Sequence, residues 1–284
     1  MKFFTFLLAA ISTSASALTI KIDYTYDTNN FFNTAGKKQA IEAVAKFYGD
    51  LITDNLLRID AADFPGSSWS AAFLDPETGA QISIPSLVVP EDTMIVYVGA
   101  RNFPGSTLGE GGPGGYEFSG SQNFLDRING RGNAGALLTP IKTDHAPWGG
   151  FISFDSVGPW NFSQSQNTSG FEFIIVALHE MGHVLGVGTS DSWDAKVSGG
   201  LFTGAAVTRS YGSNPPVQSG NGHFAQATAP SRAFGSFSRA HGISRPVTMI
   251  PLLTDDGTNF DVLSDLDLAA LIDCGWEIRP PLKM

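Results

Sequence analysis

Two histidines and a glutamate interrupt the most apolar stretch of the chain. In FEFIIVALHEMGHVLG, residues 171–186, His179 and His183 stand four apart, so on a helix they project from one face. Ser169 and Glu172 fit a capping box, and Phe173, Ile174, Ala177, Leu178, Met181, Val184 and Leu185 supply apolar surface. Gly186 sits where a left-handed residue would end the helix. The pattern predicts a helix that starts from a cap at Ser169 and runs to Leu185, apolar on most sides, that needs a core around it and stops just after its second histidine.

The neighbouring segments offer that core. LTIKIDY alternates apolar and polar residues and reads as a strand, and MIVYVGA (94–100) reads as a second. Residues 36–54 repeat apolar positions at helical spacing. Residues 104–135, rich in Gly and Ser, read as a long loop, and ALLTPI (136–141) and GFISFDS (150–156) as short strands. Residues 187–262 read as mostly irregular. A last helix starts at Ser264, which forms a capping box with Asp267, and ends at Gly275. The fold class is α/β, with a twisted mixed sheet, two long helices and a C-terminal helix. No internal repeat is present.

The first 17 residues, MKFFTFLLAAISTSASA, read as a secretory signal peptide cleaved near Ala17, which predicts a secreted protein, extracellular or periplasmic. The mature chain is long enough for one large domain or two subdomains. No later apolar run is long enough to span a bilayer. A net charge of −10 without a basic block argues against nucleic acid or an anionic membrane as partner. The single cysteine, Cys274, forms no internal disulfide and reads as a small buried residue. Oligomeric state is not legible.

The chemistry sits at the end of the histidine helix. Two imidazoles at this spacing can bind one tetrahedral zinc ion, and Glu180, beside the first, can accept a proton from water attacking a carbonyl. A catalytic zinc site keeps three protein ligands and an open position. A downstream glutamate on a second helix is close to excluded, because Glu277, past the last helix, is the single glutamate after His183. In the pattern HExxHxxGxxH a third histidine would fall at 189, but that residue is Thr189, a poor zinc ligand. Asp191 and Asp194 are near but out of register.

HEMGHVLGVGT, the following SW, LFTGAAV, YGSNPPV, GHF, a methionine before IP, and LSDLDLAALIDCGWEI together resemble the metzincin clan of zinc metalloproteases. Within it they are similar to secreted bacterial proteases related to leishmanolysin, and the upstream strand order is similar to that of matrix metalloproteases. The resemblance implies a zincin fold, with an upper subdomain (18–186), an irregular lower subdomain (187–284) and a cleft between them. It implies zinc bound by His179, His183 and His223, the last in a His-Phe pair with Phe224, and Met249 as the methionine of a turn beneath the site. His241, set among arginines and small polar residues, is the competing histidine. His145 reads as a surface-loop residue. The implied function is zinc-dependent hydrolysis of peptide bonds in protein substrates, with Glu180 as general base. An inactive zincin-fold binding or adhesion protein, and a zinc hydrolase of a non-peptide amide or ester, are the alternatives.

Overall fold

The chain centres on a sheet whose middle strands carry no polar face. The computed structural model describes residues 17–162, 170–226, 228, 231–234, 244–245, 247–250 and 263–279. In chain order, strand β1 is Thr19–Asp23, helix α1 Ala35–Leu51, β2 Ser68–Leu74, β3 Gln81–Pro85, β4 Thr93–Arg101, β5 Gly109–Pro113, β6 Gly115–Ser119, α2 Gln122–Gly130 and β7 Gly149–Asp155. Two-residue strands β8 (Trp160–Asn161) and β9 (Phe171–Glu172) precede α3, Phe173–Val184. Then come α4 (Asp191–Asp194), α5 (Ala205–Tyr211) and α6 (Asp265–Asp273).

The main sheet has the order β1-β4-β7-β5. Its first three strands are parallel, and β5 runs antiparallel to β7 at the edge. Strands β3, β2 and β6 form a separate antiparallel sheet. A parallel strand covered on both faces needs apolar residues at consecutive positions. In β4, Met94, Val96, Val98 and Ala100 enter the core shared with α1 and α3, while Ile95 and Tyr97 enter a second core with Trp69, Phe73, Phe124, Ile128, Trp148 and Phe151. Thus α1 and α3 cover one face of the sheet, and β2 and α2 pack on the other.

Arg131 ties these layers together. It follows α2 in the left-handed conformation and is fully buried. Its guanidinium donates to the carbonyls of Leu57, Thr93, Pro147 and Pro90 at 2.8–3.0 Å. Four carbonyl acceptors offset the cost of burying the charge.

Several elements depart from the sequence reading. Residues 104–135 are not a loop: they hold β5, β6 and α2. Strand β5 reads Gly-Glu-Gly-Gly-Pro and shows no alternation, because its pairing with β7 is made by backbone. Helix α2 starts at Ser121, whose side chain accepts from Phe124 N, and buries Phe124 and Ile128 one turn apart. ALLTPI is not a strand. Ala134–Leu137 is a 3₁₀ turn, and Leu137, Leu138 and Ile141 are exposed. Helix α3 begins at Phe173 without a side-chain cap, and Glu172 lies in β9, accepting from Asn161 Nδ2 at 2.6 Å. The predicted capping box rests on Ser169, which lies outside the described residues. Region 187–262 holds α4, α5 and short strands. The capping box of α6, Ser264 with Asp267, is present, and Gly275 follows with φ +106°.

Candidate metal centre and cleft

Helix α3 is buried along its whole length, which an unbroken apolar run allows. Tyr48 on α1 donates to the Leu178 carbonyl at 2.9 Å and fixes the helix one residue before His179. Gly186, at φ +98°, turns the chain, and the Val187 carbonyl folds back to receive His183 Nδ1 at 2.8 Å. Thr189 is used locally, its hydroxyl donating to the His183 carbonyl at 2.6 Å.

The third ring arrives from a separate loop. Phe224 is fully buried against Trp193, with ring centroids 5.3 Å apart, and its N–H donates to the Met249 carbonyl at 3.0 Å. Trp193 Nε1 donates to the Asn221 carbonyl at 2.8 Å. Phe224 and Asn221 thus anchor the segment on both sides of His223. Gly188 crosses so close to the Gly222 carbonyl that no side chain fits at 188.

His179, His183 and His223 meet through their Nε2 atoms, which are 3.0–3.1 Å apart pairwise. Each Nδ1 faces an oxygen: Thr248 O at 2.7 Å, Val187 O at 2.8 Å and Gln218 Oε1 at 2.9 Å, respectively. These oxygens only accept, so each Nδ1 carries the proton and each Nε2 presents a lone pair. Three lone pairs converging without a proton between them repel unless a cation lies among them. Three nitrogens at ~2.0–2.1 Å from a tetrahedral zinc would stand about 3.3 Å apart, close to the observed spacing. The donor set therefore fits zinc. Burial, helped by the neighbouring rings, holds His179 well below the ordinary histidine pKa and His183 at about 4, and burial lowers His223 too. Neutral rings are the ligating form.

Beneath the rings, Met249 is buried and its sulfur occupies the space that a β carbon on Gly182 would need. Asp267 of α6 holds that turn, accepting from the N–H groups of Thr248 and Met249 at 3.0 Å each. The Asp267 carboxylate so fixes the carbonyl that orients His179.

Glu180 is buried under the edge strand. Burial, then the negative charge of Glu110, pushes its pKa up to about 8 in the absence of a metal charge, while the Gly111 N–H opposes the shift. Gly109 and Gly111 make room for it. A β carbon at 109 would lie 2.8 Å from Glu180 Oε1, and one at 111 would lie 2.6 Å from the Glu180 carbonyl oxygen.

A cavity of about 540 Å³ opens above the histidines, lined by 106–111 on one side, Val176, His179, Glu180 and His183 on the floor, and Gly188, Thr189, Gly222 and His223 on the other side. Along it, β5 pairs with β7 alone among the described residues, so its outer edge has no strand partner, although the Gly111 N–H is directed at Glu180.

The other sequence candidates stand apart. Asp191 is largely exposed and pairs with Lys142 at 2.6 Å. Asp194 lies in α4, outside the histidine group. His241 lies outside the described residues. His145 is not a surface histidine: its Nε2 is buried without a hydrogen-bond partner, its ring lies edge-on to Trp276, and burial lowers its pKa to about 4. Its ring packs against Gly186. Sequence reasoning misses the glycines of β5, since a residue type without a side chain leaves no periodic signal.

Residues 120–197 match the family model of the matrixins, Peptidase_M10. This supports a metzincin-type zinc metalloprotease. The matrixin match runs from α2 through α4, includes His179, Glu180 and His183, and ends before His223. No curated protein and no solved structure matches the chain.

Proposed function

We propose that the protein is a secreted zinc-dependent endopeptidase in which His179, His183 and His223 hold the metal and Glu180 is the general base. The observation that carries this reading is the convergence of three Nε2 lone pairs beside a buried carboxylate, in a cleft with a free strand edge. A zinc ion held there would supply Lewis acidity toward the scissile carbonyl and toward water.

The chain's own residues do the rest. Strand β5 has no strand partner on the cleft side, so an extended peptide can add to the sheet there as one more strand. That role belongs to Gly109–Pro113. Bound in this way, the scissile bond lies over the histidines. Glu180, fixed between Gly109 and the helix, takes the proton from the attacking water and delivers it to the leaving amine. Buried walls exclude bulk water and strengthen these interactions.

The mixed sheet with an antiparallel edge strand over a histidine-bearing helix supports a zincin fold, with a cleft between 18–186 and 187–284. Export rests on the N-terminal apolar segment, outside the described residues. None of the described helices is long and apolar enough to cross a membrane. The test is digestion of casein or gelatin with the purified protein. Cleavage should stop on chelation, return with zinc and be absent in Glu180→Ala. Cleavage that survives chelation, or that Glu180→Ala retains, refutes the reading.

A further inference from the structure

We propose that Glu110 is a specificity-determining residue that favours a basic side chain in the substrate strand laid against β5. The inference rests on the peptidase reading of the cleft. Strand β5 is Gly109-Glu110-Gly111-Gly112-Pro113, so Glu110 is the one long side chain it carries. Side chains alternate between the faces of a strand. Gly109 and Gly111 face α3, where Glu180 fills the space that their side chains would occupy. Glu110 therefore projects from the opposite face.

There it pairs with Arg101, but the two charges are not equally accessible. The Arg101 side chain is 19% exposed, and that of Glu110 is 40% exposed. The guanidinium lies over the Phe103 ring, 4.6 Å from its centroid, and its Nη1 is fully buried beside Gly79. Arg101 contacts Glu110 through one carboxylate oxygen, Oε2. The cation is thus withdrawn into the surface, and the carboxylate stays open at the rim of the cleft that it lines.

A peptide strand added to β5 places one residue directly across from Glu110 on the same face. Directly opposed side chains have Cβ atoms about 4.5–5.5 Å apart, where opposite charges attract and like charges repel. The glycines flanking Glu110 offer no competing side chain. Because Gly109 sits on the Glu180 carboxylate, the opposed substrate residue lies within about two residues of the scissile bond, given the ~3.3 Å rise per strand residue.

The test uses one cleavable peptide in which each of three positions on either side of the scissile bond carries Lys, Ala or Glu in turn. Wild type should prefer Lys over Glu in kcat/KM by about tenfold at one position, attraction and repulsion each contributing within the range of cross-strand pairs. Glu110→Lys should invert the preference there and leave the other positions unchanged. Glu110→Gln should flatten it. The ratio between peptides cancels any change in the common rate caused by altering the charge near Glu180. Binding of the same peptides to Glu180→Ala, read by fluorescence anisotropy, should show the same single-position preference. A Lys-to-Glu ratio that is the same in wild type, Glu110→Gln and Glu110→Lys overturns the proposal. Wild type that cleaves none of the peptides, with Glu180→Ala binding none, overturns the peptidase reading and this inference with it.

Discussion

Adding a single methyl group at position 109 should separate catalysis from metal binding. A β carbon on Gly109 would lie 2.8 Å from Glu180 Oε1, 2.9 Å from its Cγ and 3.1 Å from its Cδ. Ordinary contact begins near 3.4 Å, so the carboxylate or the strand must yield by about 0.6 Å. Glu180 is buried and cannot swing into solvent, and β5 is held by its ladder to β7. Overpacking of this kind costs roughly 1–3 kcal/mol of stability. A displacement approaching 1 Å of a group that must meet the attacking water can cost up to ~100-fold in rate. Gly109→Ala should therefore lower kcat by about ten- to a hundredfold and lower Tm by a few degrees, while zinc content stays stoichiometric, because no ligand is touched. Gly112→Ala is the matched control. Its β carbon would meet only Phe151 Cε1, at 3.7 Å, and that variant should keep near-wild-type activity. Activities would be measured on a fluorescence-quenched peptide, with metal analysis of the same samples. Full activity in Gly109→Ala, or equal damage in Gly112→Ala, would refute the placement of Glu180 under the strand.

Three further outcomes are expected from the same structure. Glu180→Ala should retain zinc and lose activity by several orders of magnitude, since proton transfer and water orientation both go; near-normal turnover would exclude it as the base. Arg131→Met should destabilise by about 3–5 kcal/mol, because four carbonyls, two buried and two partly buried, lose their donor; denaturant melts unchanged within about 1 kcal/mol would contradict that. Asp54 is buried, and burial raises its pKa from 3.8 to about 6, so the folded state binds a proton more tightly than the unfolded one. Its contribution to stability is therefore present below the unfolded value and lost as pH rises through about 6, up to roughly 3 kcal/mol. Asp54→Asn should flatten this slope between pH 4 and 7 while keeping an acceptor for the Glu277 N–H; an unchanged slope would rule out Asp54 as its source.

The parts of the fold legible in the sequence are those that announce themselves through side chains. The histidine helix, β4, β7, α1 and α6 all carry dense apolar patterning, and their positions agree with it. Strand β5 carries no such signal. It exists because β7 offers a backbone partner, and its glycines are there to admit Glu180. ALLTPI shows the converse. Its composition suits a strand, but no neighbour pairs with it, and its leucines stay in water. Helix α2 does carry a signal, since Ser121 caps it and Phe124 and Ile128 lie one turn apart; the surrounding glycines mask the pattern. The convergence of His223 on the pair, a loop of 40 residues away, depends on tertiary anchors, Phe224 on Trp193 and Asp267 on the turn at Thr248, that spacing alone does not encode. His145 misleads because polar neighbours hide a ring that packs against Gly186 and Trp276.

The central claim is that one zinc ion is held by three histidines drawn from two separate segments. The most direct test is anomalous diffraction at the zinc edge from crystals of the purified protein. One peak is expected, about 2.0–2.1 Å from the Nε2 atoms of His179, His183 and His223. No peak at that point, or a peak coordinated by His241 with His223 turned away, would contradict it.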